Sequence, residues 1–469
     1  MRAVRVLSIL ILLCATLHAE TPTEAFKRRR LEYPELTQIV DFAQSAPAEF
    51  AARALLRVAR SPGLRDNVWK RELLDQAFQT AGAARNPVSR RIRIGKTADG
   101  SRERRIDEAA DLGLDRLTLQ TEAVKAMVTL DPKHARDLFL LIPQPVPARL
   151  RCEDALVEDP SSYFAAATEI AATAFTPEER RRNDVALFLN ERVQRMASPV
   201  ELAPAIRMIA LSSSRMTAAQ SKLLISSLAA AIQRMEGDDR SFSYSLPGVS
   251  KEMASLTGSE VNEAYRQFLV KNLTGPRCAD SDYSQISAGL GLQDVKPSKT
   301  DAKATLTYPG KSAEEGLLRT KLMSLQFGQG HAALTDAQKN TAEWREQFSD
   351  LLHDIEAIKP ASGESEAVFY FRKGAALDAL LIISPGGETR DRILQEYIAF
   401  LKASNLQQES LIEWFSMVES LVDQTRSMNA AEYKKMLDAL ETSGHTVLSL
   451  YARIEKMLPT LPSWVQAGQ

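Results

Sequence analysis

The chain has 469 residues, of which 44% are hydrophobic and 25% charged, and its formal net charge is −1. This composition is ordinary for a folded protein, and the length predicts two or three domains or an extended array of repeats. A net charge near zero argues against a nucleic-acid or membrane-surface binder that relies on a global field. Aromatic residues make up only 6% of the chain, which argues against a surface that stacks bases or sugars.

The first 19 residues have the pattern of a secretory signal peptide. Arg2 and Arg5 precede an apolar run, and Leu17-His18-Ala19 fits a cleavage site. The apolar run is shorter than the ~20 residues that a membrane-spanning helix needs. A basic cluster that follows closely acts against translocation. We nevertheless expect an exported protein, periplasmic or extracellular, with no transmembrane segment in the mature chain.

Residues 112–143 predict two antiparallel helices joined by the turn Leu130-Asp131-Pro132. Asp131 can cap the second helix, and Pro132 fits its first position, where a missing N–H costs nothing. One face of that helix carries an apolar stripe with the spacing i, i+3, i+4, i+7, formed by Ala135, Leu138, Phe139 and Ile142. Because a single hairpin cannot bury both of its faces, further helices must pack against it.

Similar periodicity and helix-start signals recur along most of the chain, about 20–25 residues apart. The predicted fold class is therefore all-α, with packed helical hairpins that form a superhelical or multi-helix array. Capping boxes are predicted at Thr176 and at Thr217. Continuous helices are predicted over residues 21–46, from Thr176 to Met196, from Thr335 to Ile358 and from Glu366 to Ile383. Asn429 with Glu432 is predicted to cap a further helix.

The chain divides into four predicted parts by composition. Residues 1–19 are the signal peptide, and residues 20–275 form an N-terminal helical domain. Residues 276–312 are rich in Gly, Pro, Ser, Asp and Lys, which is typical of a loop or linker. Residues 313–469 form a C-terminal helical domain.

A basic insertion at residues 85–105 departs from the helical pattern. Eight Arg and Lys residues stand there against only Asp99 and Glu103, and alternating apolar residues suggest a short strand. One interpretation is an anion-binding site. The other is a solvated loop or small hairpin beside the helices, which the lack of interleaved aromatic residues favours. The residues that would carry the anion site are Arg90, Arg91, Arg93 and Lys96.

Signal-peptide cleavage would remove Cys14 and leave Cys152 and Cys278. In an oxidising compartment these two can form one disulfide that closes a long loop. Two separate buried thiols are the alternative. No CxxC pair occurs, which argues against a redox motif or a thiolate zinc site.

No catalytic motif is recognisable in the sequence, and no catalytic residue, metal or cofactor is predicted. The best cluster of acidic and histidine residues is Glu346, Asp350 and His353, at helical spacing. An apolar stripe predicts that the opposite face of that helix is buried. We therefore interpret the cluster as a solvated face, since a catalytic group usually needs partial burial.

Two functional hypotheses follow. The leading one is an exported, non-enzymatic helical scaffold that binds a protein or peptide partner; nucleic acid is not expected to bind. The alternative is a hydrolase of cell-envelope polymer, because soluble lytic transglycosylases have a similar helical superhelix. Their Glu-Ser start is followed by a Gly-Leu-Met-Gln type run. That run is absent after each Glu-Ser pair of this chain: Glu364-Ser365, Glu409-Ser410 and Glu419-Ser420.

Overall fold

The computed structural model confirms the all-α class. Apart from a pair of three-residue strands, the described elements are helices. None of the described helices combines the length and the apolar character needed to cross a bilayer. The residues that the structure describes are 22–85, 89–91, 109–151, 154, 156–237, 239–256, 259–274, 313–327, 334–339, 341–360, 366–403 and 411–457.

Besides a short 3-10 helix at Pro199–Glu201, the first part of the chain contains both strands and a series of α-helices. In chain order these are α1 (Pro22–Glu32), α2 (Pro34–Ala43), α3 (Ala48–Ala59), α4 (Asn67–Ala81), β1 (Ser89–Arg91), α5 (Arg116–Val128), α6 (Pro132–Leu140), β2 (Leu156–Glu158), α7 (Ser161–Thr173), α8 (Pro177–Arg181), α9 (Asp184–Gln194), α10 (Leu202–Ser213), α11 (Ala218–Arg234), α12 (Ser241–Met253) and α13 (Ser259–Thr274).

These helices form two layers. In the first layer, α3, α5, α7, α10 and α12 pack side by side in that order. In the second layer α9 packs on α11, and α11 on α13, while α4 and α6 pair with α3 and α5. Each hairpin thus contributes one helix to each layer, which is the arrangement of a helical-hairpin array.

The predicted hairpin at residues 112–143 forms as expected. The Asp131 carboxylate accepts a hydrogen bond from the His134 backbone N–H at 3.0 Å, and Pro132 begins α6. The apolar stripe of α6 is buried. The capping boxes at Thr176 and Thr217 are also confirmed, with reciprocal side-chain and backbone hydrogen bonds in both.

Three predicted continuous helices are interrupted. Residues 21–46 form α1 and α2, because Pro34 lacks an N–H and keeps Tyr33 out of the helical region. The helix predicted from Thr176 ends at Arg181, and Asn183 adopts a left-handed φ of 68° before α9 begins. In the helix predicted from Thr335, the Thr341 side chain caps a new start.

The last part of the chain is helical again. Glu366–Ile383 is a helix with the predicted bounds, and Asn429 caps the helix that follows it at Ala430, as predicted. The helices are α14 (Ala313–Gln326), α15 (Asp336–Lys339), α16 (Ala342–Glu356), α17 (Glu366–Ile383), α18 (Glu388–Ala403), α19 (Leu411–Met428), α20 (Ala430–Glu441) and α21 (Thr446–Met457).

The last helix packs against the first ones. Helix α21 contacts α20 on one side and α2 and α3 on the other, so the C-terminal hairpins continue into the N-terminal array. Most of the buried apolar residues form one connected core that reaches from Leu36 to Ile454. The predicted linker at residues 276–312 lies outside the described residues, and the division into two domains stays a prediction.

The strand predicted in the basic insertion pairs at long range. Strand β1 is antiparallel to β2, with Arg90 opposite Val157. Val157 is buried and packs with Val200. The residues that follow β1 in the basic insertion lie outside the described residues, and the described partner of β1 is a distant segment of the chain.

Candidate binding groove

A groove of about 460 Å³ lies on the described surface between helices α7 and α10. Its two walls are single faces of these helices. Residues of α5, α8 and the start of α11 complete it. Its volume lies within the range of ligand pockets, ≈300–1,000 Å³.

The α7 wall is a stripe of small side chains. Ser161, Ala165, Thr168 and Ala172 recur at the spacing i, i+4, i+7, i+11, which places them on one face of the helix. The opposite face holds α7 in the core through large buried residues, among them Phe164 and Ile170. Helix α7 is thus anchored on one side and open on the other.

The α10 wall alternates charge and apolar surface. Arg207 and Leu211 lie four residues apart on α10, Arg215 follows four residues later in the turn after the helix, and Leu211 is 60% exposed. Below them, Met208 and Ser212 form a buried floor. The core face of α10 carries Ile206 and Ile209, and the same helix therefore serves both the core and the groove.

The charges that line the groove are mostly positive. Four basic residues, Lys125, Arg180, Arg207 and Arg215, stand against Glu169 as the one acidic residue of the described lining. Arg207 donates to Glu252 with an Nε–Oε1 distance of 3.0 Å, and this hydrogen bond raises the pKa of Arg207. Within the described part of the chain, neither Lys125 nor Arg215 has a carboxylate partner, so both can meet a ligand's negative charge.

One end of the groove is closed by a rigid turn. The Arg180 guanidinium donates to the carbonyl oxygens of Ala171 and Ala172 at 3.2 and 2.8 Å, and so caps the C-terminal end of α7. Gln220 lines the same end and donates to the Asn183 side chain at 2.7 Å. The left-handed residue Asn183 therefore helps to hold the Gln220 side chain in place.

Elsewhere, a half-buried ionic cluster joins the two ends of the array. The Glu419 carboxylate on α19 accepts from Arg53 on α3 at 3.2 Å and from the Tyr451 hydroxyl at 2.7 Å. Burial raises the pKa of Glu419, and the Arg53 charge opposes that rise. The adjoining cavity, of about 20 Å³, holds no more than a water molecule. The cluster therefore links the two ends of the array, and the cavity beside it has no room for a sugar ring.

Most residues of the predicted anion site and disulfide cannot be placed. Arg90 and Arg91 lie in β1, and their side chains are outside the described residues, as are Arg93 and Lys96. Cys152 and Cys278 also lie outside, so both hypotheses stay predictions. On α16, Glu346, Asp350 and His353 are exposed and Trp344 and Phe348 are buried, which agrees with the predicted solvated face.

Among the described residues, no three His, Cys, Asp or Glu side chains are grouped closely enough to hold a metal ion. The groove was not predicted from the sequence, although one signal was readable: Leu211 is an apolar residue with an arginine four positions away on either side. No protein-family model, curated protein or solved structure matches the chain.

Proposed function

We propose that the protein is an exported helical scaffold that binds a partner protein through the groove between α7 and α10. The observation that carries the proposal is the pair of facing helix stripes, both turned away from the core, with Leu211 60% exposed between two arginines. A large apolar side chain held in a concave, mostly apolar space is typical of a binding site.

The chemistry of the groove favours binding over catalysis. Glu169 is the one acidic residue of the described lining, and that lining contains no histidine or cysteine. General acid–base chemistry commonly uses a pair of titratable groups in different environments. The envelope-hydrolase alternative gains no support at Glu419 either, because that carboxylate is engaged by Arg53 and Tyr451.

The test compares two exposed leucines. Leu211 lies in the groove, whereas Leu187 on α9 is exposed to a similar extent, 55%, and does not line the groove. The purified chain, L211D and L187D are each immobilised and exposed to an envelope extract, and the captured proteins are quantified by mass spectrometry. We expect L211D to lose a captured protein that the original chain and L187D retain.

Both substitutions are at exposed positions, so both variants should unfold at nearly the same temperature as the original chain. Circular dichroism checks that condition. Equal capture by the original chain and both variants would overturn the proposed use of the groove, as would a loss that is confined to L187D.

A further inference from the structure

The shape of the groove fits a helix better than an extended peptide. The α7 stripe from Ser161 to Ala172 is about 16 Å long at 1.5 Å per residue, which corresponds to three turns of a bound helix. Its small side chains allow a bound backbone to approach to the 8–10 Å at which helix axes pack. Both walls are helix faces whose backbone groups are bonded within their own helices. An extended peptide would leave its own backbone groups without partners there.

The charges on the α10 side of the groove predict the charge pattern of a ligand that would fit it. Arg207 on α10 and Arg215 in the turn that follows α10 are eight positions apart in sequence, with Leu211 midway. Lys125 adds a further positive charge from α5. A bound helix that carries carboxylates two turns apart, with an apolar residue between them, would present these groups to Arg207, Leu211 and Arg215.

We infer that the groove binds an acidic amphipathic helix of a partner protein, with an apolar side chain seated beside Leu211 and a carboxylate at Arg215. This inference rests on the proposed function and names the chemistry of the partner. The described lining contains no Phe, Tyr or Trp, which disfavours stacked bases or sugars. Met208 and Met216 are adaptable side chains of the kind that receive apolar residues of bound helices.

The probe for the test is a synthetic three-turn helical peptide, rich in alanine, with two glutamates two turns apart and leucines between them on the same face. Its control has the same composition, with the glutamates moved to the opposite face. Fluorescence anisotropy with the purified full chain measures both affinities. We expect the first peptide to bind at least about tenfold more tightly, and rising salt should weaken its binding.

Charge reversal at Arg215 tests the inferred contact between this residue and a carboxylate of the bound helix. Arg215 is the better choice because Arg207 is already paired with Glu252. We expect R215E to weaken binding of the glutamate peptide about tenfold or more, and a peptide with lysine at the contacting position to regain affinity for R215E. The matched control is R266E, which reverses an exposed arginine of α13 that does not line the groove.

The outcomes separate this inference from the proposed function. If L211D loses its captured protein while R215E retains it and the two peptides bind equally, the groove binds a partner of different chemistry, and this inference is wrong. Self-association through the groove in sedimentation, or L211-dependent flotation on anionic phospholipid vesicles, would also overturn it. If L211D loses no captured protein and neither peptide binds, the proposed function fails as well.

Discussion

Arg57 and Glu455 join the two ends of the chain across 398 positions of sequence, with the Arg57 Nη1 atom 2.7 Å from Glu455 Oε1. The Glu455 side chain has no exposed surface, and it also accepts hydrogen bonds from Arg426 at 2.6 Å and from the Tyr433 hydroxyl at 3.1 Å. A fully buried carboxylate needs several such donors to offset its loss of water. This pair therefore holds α21 against the N-terminal helices.

Removal of the Glu455 carboxylate should weaken the whole fold. In E455A two guanidinium groups lose their shared acceptor in a poorly solvated place, and we expect the free energy of unfolding to fall by about 3 kcal/mol. Urea unfolding followed by circular dichroism measures the change. The control is E122A, because the Glu122–Arg60 pair is 41% and 44% exposed and should contribute less than about 1 kcal/mol. Equal losses in both variants would contradict the role assigned to Glu455.

Glu419, the other carboxylate that links the two ends of the array, predicts that the stability of the fold depends on pH. Burial raises the pKa of Glu419 in the folded chain above its ordinary value of 4.5. The folded state therefore binds the proton more tightly than the unfolded state does. The stability that this group contributes is fully present below pH 4.5 and is lost as the pH rises through the folded pKa. We expect E419Q to remove this loss, so that its urea midpoint changes less than that of the original chain over that interval.

Asp66 provides a control of opposite sign for the pH experiment. Burial acts to raise its pKa, but hydrogen bonds from the Trp69 backbone N–H and the Arg28 guanidinium outweigh it and lower the pKa below 3.8. The stability contributed by Asp66 is therefore present above pH 3.8 and is lost as the pH falls through the folded pKa. If D66N and E419Q change the pH profile in the same direction, the assignment of these two groups is wrong.

The features that the sequence predicted well are local ones. The caps at Asp131, Thr176, Thr217 and Asn429 depend on residues within three positions of each other, and the structure contains all four. Apolar stripes predicted most helices for the same reason, since a helix face is defined by residues within a few turns.

The features that escaped prediction depend on distant residues. Nothing near Arg57 indicates that its acceptor lies on α21, and nothing near Ser89–Arg91 indicates a strand partner at Leu156–Glu158. The groove was not predicted, because its shape depends on how helices that are separated in sequence pack together. Leu211 was the readable exception, as an apolar residue with an arginine four positions away on either side.

The break at Asn183 should depend on its side chain. Asparagine tolerates the left-handed φ of 68°, whereas alanine there should cost about 1 kcal/mol or more, and glycine should be nearly neutral. Thermal unfolding of N183A and N183G measures the difference. The hydrogen bond from Gln220 is lost in both variants. The difference in their stability therefore measures the cost of the left-handed backbone conformation alone. Equal stability of the two would show that the backbone conformation at this break has no energetic role.

Helices α17 and α19 approach each other closely at Gly374. A β-carbon at that position would overlap the Met417 sulfur, and the Met417 side chain is buried. We expect G374A to lower the free energy of unfolding by about 1–3 kcal/mol through overpacking, although alanine favours helix by about 1 kcal/mol. Urea unfolding provides the measurement.

The background variant M417A separates these two opposing effects. M417A alone should be destabilised, because it leaves a cavity in the core. In that background the added methyl group has room, and G374A should become stabilising through its helix propensity. The sign of the Gly374 substitution would thus reverse between the two backgrounds. If G374A changes stability by the same amount in both, the packing of α17 on α19 does not require glycine at this position.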